Sequence, residues 1–145
     1  MHRTLREMPG PHAEMSAVAA HWDLASHRLS VANCGNVPPI VISADQEPQR
    51  LRVPKGRGLG GRSSPTPTEQ TISLEPGDRL VMVSDGVVGG GEGKAGLGID
   101  GLIEAALRSE RATAADTVRK VQTAVLEASG GDLDDDATMV CLSVS

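Results

Sequence analysis

The sequence LEPGDRLVMVSDGV, residues 74–87, contains a turn, then a strand, then a second turn. Proline and glycine within Glu75–Asp78 occupy positions that suit a β-turn. The segment Arg79–Ser84 that follows is apolar on both faces, which is typical of a strand in the middle of a sheet. Asp85 comes directly after it. We therefore predict a central strand that ends beside an acidic side chain.

The chain before this strand alternates between polar and apolar residues, as half-buried strands do. Two such segments, Ser16–Asp23 and Arg28–Asn33, flank a short polar turn and predict a β-hairpin. Three more strands are predicted over Pro39–Ser43, Arg50–Val53 and Thr68–Leu74. The glycine- and proline-rich segment before the last of these predicts a loop.

The chain after residue 85 changes to a helical period. Asp100 is predicted to be the N-cap of a helix that ends at Leu107. A second helix is predicted to begin at Thr113, to present Val118, Val121 and Val125 on one face, and to end at the glycines at 130 and 131. A last strand is predicted over residues 137–144. Antiparallel strands followed by two helices and a strand indicate an α+β fold.

Composition limits the classes of function. The chain has 145 residues, of which 39% are hydrophobic and 23% charged, so it can form one folded domain or part of one. Its net charge of −5 disfavours binding to nucleic acid, because most of that affinity comes from neutralising phosphates. Trp22 is the sole aromatic residue, so stacking platforms for nucleic-acid bases are also excluded. We predict no nucleic-acid partner.

The cysteines and the apolar runs indicate the compartment. Cys34 and Cys141 are far apart in sequence and form no C-x-x-C motif, so we predict two free thiols. The first twelve residues contain no apolar stretch typical of a secretory signal, and the longest apolar runs are too short to span a membrane. We therefore expect a cytoplasmic protein with no membrane partner.

Two acidic features could carry chemistry: Asp85, and the cluster Asp132, Asp134, Asp135 and Asp136 before the last strand. The two predicted helices run out and back, so the chain returns to the strand end that it left. If the two strands are antiparallel neighbours, Asp85 lies beside Asp135 at one edge of the sheet. Carboxylates this close repel one another unless a cation lies between them, and oxygen ligands suit Mg²⁺ or Mn²⁺. The alternative is a small acidic domain in which Asp85 caps a turn and the cluster is a solvated loop.

Two other motifs fail in their details. The acidic cluster matches the first ligand positions of an EF-hand loop, but Ala137 stands where that loop needs glycine. The segment Gly56–Ser63 is nearly a phosphate-binding P-loop, but Pro65 and Pro67 follow it and prevent the helix that such a loop must open. We interpret it as a glycine loop.

Four segments together resemble a known family. They are ANCGNVPP (residues 32–39), ISLEPGDRLVMVSDGV (72–87), GLGIDGLIEAAL (96–107) and DLDDDATMVCLSV (132–144). From about Met15 to Val144, the chain closely resembles the C-terminal half of SpoIIE-like (stage II sporulation protein E type) phosphatases, the bacterial branch of the metal-dependent PPM protein serine/threonine phosphatases. The resemblance implies part of an α-β-β-α sandwich of antiparallel sheets flanked by helices. It also implies two Mn²⁺ or Mg²⁺ ions, whose bridging water attacks the phosphorus of a phosphoserine or phosphothreonine.

The resemblance assigns individual residues. Asp85 matches a metal ligand of the family, and Asp135 matches the aspartate of its final Asp-x-x-Thr motif, which Thr138 closes. In the segment that corresponds to the family's Asn-Ala-Gly-His-Pro-Pro, Asn36 replaces the histidine. The family's further aspartate, which bridges both metals from a Gly-Asp-x-x-Gly turn, has no counterpart in the chain.

The missing aspartate shapes the functional hypothesis. We expect residues 1–145 to form a single partial PPM-type domain without the N-terminal strands and with a weak or partial metal site. The leading hypothesis is a protein serine/threonine phosphatase domain, truncated and inactive alone, whose substrate is a phosphorylated regulatory protein of the kind found in sigma-factor partner switching. The alternative is a non-catalytic, phosphatase-like binding or regulatory module. The sequence leaves open whether the chain is an enzyme, and it predicts self-association through uncovered sheet edges.

Overall fold

The computed structural model describes residues 1–7, 14–43, 47–51, 53, 56–62, 67, 69–89, 96–109 and 113–145. The helices and strands, in chain order, are α1 (His2–Glu7), β1 (Ala17–Asp23), β2 (Arg28–Cys34), β3 (Ile40–Ile42), β4 (Gln49–Arg50), β5 (Glu69–Ser73), β6 (Arg79–Val83), α2 (Asp85–Val88), α3 (Gly98–Leu107), α4 (Ala114–Ala128) and β7 (Met139–Ser143). They form two compact units, Met1–Pro38 with Arg52–Leu74, and Pro39–Leu51 with Glu75–Ser145. The α+β class expected from the sequence is confirmed.

The first unit contains α1 and an antiparallel sheet of strand order β1-β2-β5. The predicted hairpin is confirmed, and its turn is held by Asp23, whose Oδ1 accepts hydrogen bonds from the backbone N–H groups of Ala25 (2.9 Å) and Ser26 (3.3 Å). A hydrogen bond from the Ser26 side chain, together with these two backbone bonds, lowers the pKa of the Asp23 carboxyl. Leu29 and Val31 on β2 are fully buried, so the middle strand contributes to the core of this unit.

The second unit contains an antiparallel sheet of strand order β4-β3-β6-β7 together with α2, α3 and α4. The strand β6 is central, as predicted, and Leu80, Val81 and Val83 are buried. Met82, in the same apolar segment, is only half-buried. Its register partner on β7 is Val140, which is 52% exposed, so this part of the sheet face is open to solvent.

The two long helices follow the sequence with one correction. Thr113 caps α4 as predicted, because its Oγ1 accepts a hydrogen bond from the Asp116 N–H (3.2 Å). Asp100 as the N-cap of α3 was wrong. The helix begins two residues earlier, at Gly98, which has a φ of 65° that glycine adopts without steric cost. Asp100 lies in the first turn, where the helix dipole still stabilises a carboxylate.

The predicted face of α4 packs on the sheet over part of its length. Val121 and Val125 are buried, but Val118 is half-buried. It lines an open, mainly apolar groove of about 280 Å³ between α4 and the residues around Ala137 and Met139. The groove explains why Val118 retains solvent contact.

Arg79 joins the sheet to the helices, which the sequence did not predict. Although it is charged, it is only 6% exposed. Its Nη1 donates hydrogen bonds to the Ala106 carbonyl oxygen (3.2 Å) and to Thr117 Oγ1 (2.7 Å). The Ala106 carbonyl is near the C-terminal end of α3, where a cation is favoured. Arg79 therefore fastens both helices to the start of β6.

Both cysteines are free thiols, as predicted, with Cys34 buried and Cys141 half-buried. Burial raises the pKa of the Cys141 thiol, although the positive charge of Arg79 and a hydrogen bond with Thr117 act in the opposite direction. Among the described residues, no helix has both the length and the apolar character needed to cross a bilayer.

Replacing Val83 with Asp should unfold the second unit, because a buried carboxylate without a partner costs several kcal/mol. The matched control is Val140→Asp on the neighbouring strand, where the side chain is already half in water. Thermal melting followed by circular dichroism should show a large loss of stability for Val83→Asp alone. Equal melting of the two variants would mean that β6 is not central.

The edge strand β7 should promote self-association. In the described part of the chain, β7 pairs only with β6. The N–H groups of Thr138 and Val144 donate to the β6 side. Because successive N–H groups of a strand point in opposite directions, those of Met139, Cys141 and Ser143 are directed outward. Ser143→Pro removes one outward N–H and should weaken association, whereas Ser143→Ala should not. Sedimentation velocity measures both, and a parent protein that stays monomeric at high concentration would contradict the expectation.

Candidate metal site

The ends of β6 and β7 lie side by side. The two strands are antiparallel, and Val83 at the end of β6 pairs with Met139 at the start of β7. Asp85 follows two residues after Val83 as the first residue of α2, and the acidic cluster precedes Met139. The topology inferred from the out-and-back helices is therefore confirmed at the level of the backbone.

Ser84 connects the turn that carries Asp85 to the loop that carries the acidic cluster. Its backbone N–H donates to the Thr138 carbonyl oxygen (2.9 Å). Its Oγ accepts from the Thr138 N–H (2.9 Å) and donates to the Asp136 carbonyl oxygen (3.1 Å). Three hydrogen bonds from one residue hold the two segments together.

Gly86 permits the close approach of these segments. It is buried, and a Cβ built on it would lie 2.4 Å from the Asp136 carbonyl oxygen and 2.9 Å from the carbonyl carbon. Real Cβ atoms do not approach backbone this closely, so any larger residue would displace the acidic loop. The Ser-Asp-Gly turn and the acidic loop are thus complementary in shape as well as in hydrogen bonding.

The acidic side chains at this junction are all exposed: Asp85, Asp132, Asp134, Asp135 and Asp136. Their burial class does not distinguish Asp135 from Asp134 and Asp136. The Asp136 N–H donates to Asp135 Oδ1 (2.9 Å), which orients that carboxylate. Because water and salt screen exposed charges, the cluster can persist without a cation, and repulsion alone does not require a metal.

The donors at this junction fit a divalent cation in kind but not in number. Exposed carboxylate oxygens are the ligands that Mg²⁺ and Mn²⁺ prefer. In the described ranges, however, no three or more His, Cys, Asp or Glu side chains are grouped closely enough to hold a metal ion. Asp85 and Asp135 as a ligand pair therefore remain a prediction, and the site they would form is incomplete.

Asn36, which replaces the histidine expected from the resemblance, lies in the first unit. Its Oδ1 accepts from the Val37 N–H (2.8 Å). The fully buried Asn33 accepts from the Asn36 N–H through Oδ1 (2.9 Å) and donates to the Asn36 carbonyl oxygen through Nδ2 (3.0 Å). Both asparagines therefore shape the turn around Gly35, and the side-chain oxygen of Asn36 is engaged locally.

Sequence reasoning missed the roles of Ser84 and Gly86. The signal was present, because both residues that flank Asp85 are small. The sequence predicted Ser84 only as the end of the strand and Gly86 only as part of the turn after it, so it did not indicate a link to residues 136–138.

A family model described as stage II sporulation protein E (SpoIIE) matches residues 1–145, the whole of the chain. The chain belongs to the SpoIIE family. No curated protein sequence is similar enough to this SpoIIE-family chain to count as a match. The family resemblance inferred from the four sequence segments is confirmed.

Solved structures show the same fold. The phosphatase domain of the Bacillus subtilis cell fate determinant SpoIIE, from manganese-presoaked material, is 16% identical with a TM-score of 0.70, over 90% of this chain and 56% of that chain. The RsbU and RsbW domains of a Mycobacterium tuberculosis protein give 19% identity and a TM-score of 0.74, over 98% and 39%. The catalytic domain of the serine/threonine phosphatase PstP, in complex with two manganese ions, gives 16% and 0.68, over 99% and 65%. At these identities the similarity establishes the fold, and the chain spans less than two thirds of each structure.

Removing the Asp85 carboxylate should weaken Mn²⁺ binding. The parent should bind weakly, and Asp85→Asn should lose about tenfold or more in affinity, since changes even to groups that only support metal ligands cost that much. The matched control is Asp132→Asn, which removes the same charge outside the assigned pair. Isothermal titration with Mn²⁺ measures all three proteins, and equal binding by Asp85→Asn and the parent would refute the assignment.

Proposed function

We propose that this chain supplies the metal-binding turn and acidic loop of a protein serine/threonine phosphatase domain that acts on a phosphorylated regulatory protein. The observation that carries the proposal is the connection of the Asp85 turn to the acidic loop through Ser84, in a chain that belongs to the SpoIIE family. The relatives named above support the reaction, since two of them are described as phosphatase domains.

In this proposal Asp85 and Asp135 are the residues that hold Mn²⁺ or Mg²⁺. Manganese is described for SpoIIE and PstP, and magnesium for the structurally similar RsbX. Metal held there would supply an activated water, because a bound divalent cation lowers the pKa of its water toward neutrality. The protein's part in this proposal is to hold carboxylates with the correct charge and separation, and Asp85 and Asp135 are the two that we assign to it.

The proposed substrate is a protein of a partner-switching system. Support comes from the joint occurrence of RsbU and RsbW domains in one of the similar structures. We propose a cytoplasmic location as well, and the two free thiols are consistent with a reducing compartment.

The second candidate function is a phosphatase-like binding or regulatory module. It is favoured by the absence of any three-ligand metal group among the described residues. Two carboxylates leave a divalent cation with mostly water ligands, which weakens binding and leaves the attacking water poorly activated.

The 145-residue chain should show little or no turnover of a phosphoserine peptide in the presence of Mn²⁺. Phosphate release should fall far below the enzymatic range of about 1–10³ s⁻¹ and should be the same for the parent and Asp85→Asn. Turnover within that range that Asp85→Asn abolishes would show that the chain holds a complete site. Binding of the peptide without turnover would favour the regulatory module.

A further inference from the structure

The hydroxyl of Ser84 allows the chain to leave a strand and enter a helix at one residue. In an uninterrupted antiparallel ladder, the Thr138 N–H would donate to the Ser84 carbonyl oxygen. Here it donates to Ser84 Oγ (2.9 Å), while the Ser84 carbonyl oxygen accepts from the Val87 N–H (3.2 Å), the first such bond of α2. The hydroxyl thus takes over one rung of the ladder and releases the carbonyl for the helix.

The same hydroxyl has a second partner on the acidic loop. Ser84 Oγ donates to the Asp136 carbonyl oxygen (3.1 Å), the atom that a Cβ on Gly86 would approach to 2.4 Å. Although Ser84 is the N-cap residue of α2, its side chain makes no capping bond to the helix. Its hydrogen bonds are committed to the loop, and the absence of a side chain at residue 86 lets the loop come close enough to form them.

We propose that Ser84 and Gly86 are positioning residues that set the separation of Asp85 and Asp135. Asp85 lies between them, and Asp135 is the residue before the carbonyl that both of them contact. The proposal rests on the proposed metal-binding function for its consequence, but the geometry that it describes exists without metal.

Removing the hydroxyl should loosen the acidic loop while leaving β6 paired with β7. For Ser84→Ala we expect faster hydrogen exchange of the Thr138 amide in the metal-free protein and a loss of about 10–100-fold in Mn²⁺ affinity, the usual effect of removing a group that orients metal ligands. Ser84→Thr keeps the hydroxyl and should restore both properties. Gly86→Ala should lower Mn²⁺ affinity with the Ser84 hydroxyl still present.

The control is Ser30→Ala, which removes a strand hydroxyl bonded to Thr71 Oγ1 in the first unit. It should change neither the Thr138 exchange rate nor Mn²⁺ affinity. Thermal melting identifies any variant that has simply failed to fold. Ser84→Thr then serves as the folded comparison for the serine, because its hydroxyl should behave as the parent's does.

The measurements separate the two claims. If Ser84→Ala exchanges Thr138 no faster than the parent, or binds Mn²⁺ equally well while Asp85→Asn does not, the positioning role is wrong. If Thr138 exchanges faster in Ser84→Ala but the parent binds Mn²⁺ no better than Asp85→Asn, the loop is held as we propose and the metal site is the claim that fails.

Discussion

The antiparallel pairing of β6 with β7 is the constraint on which the candidate site depends. It pairs residues that are 56 (Val83 with Met139) to 64 (Arg79 with Ser143) positions apart in sequence, and it ends at Val83 and Met139, where the chain on each side must change direction. Beyond that pair, the Ser84 N–H still donates to the Thr138 carbonyl oxygen, but the Ser84 carbonyl oxygen accepts from α2 and no longer from Thr138. The Ser84 hydroxyl supplies the missing bond, and the candidate ligands lie immediately past it.

The return path of the chain depends on a different interaction at the opposite end of β6. Arg79 is buried there and bonded to the end of α3 and the first turn of α4. A buried guanidinium is costly unless its donors find acceptors, so its two bonds constrain where the helices can lie. This connects the position of the α3–α4 pair to the same strand that carries Asp85 at its other end.

The candidate site combines good placement with a deficit of ligands. Its carboxylates are exposed, so water and salt screen the interactions between them. They are therefore available to bind a cation. A divalent cation gains most when several carboxylates converge on it, and the described residues do not provide that convergence. The chain spans 56% of the SpoIIE phosphatase domain to which it is similar.

Local sequence pattern determined most of the elements. The strands and α4 were located to within a few positions. Each was predicted from a pattern among residues close together in sequence: the alternation before residue 74, the apolar segment 79–84 and the helical spacing after Thr113. The start of α3 was misplaced because the helix begins at Gly98, a glycine with a positive φ, and a glycine gives no capping signal in the sequence. The antiparallel return that puts Asp85 beside the acidic loop was also inferred from the order of elements.

Only the tertiary structure decided what the polar residues do. Arg79 looked like the first residue of an apolar strand, yet it is buried because α3 and α4 present oxygen acceptors to it. Ser84 was predicted as the last residue of that strand, yet its hydroxyl bonds to residues 136 and 138. Hydrogen-bond partners that are distant in sequence leave no periodic pattern in it. They meet only when separate helices and strands pack together, and the residues next to each partner do not determine that packing.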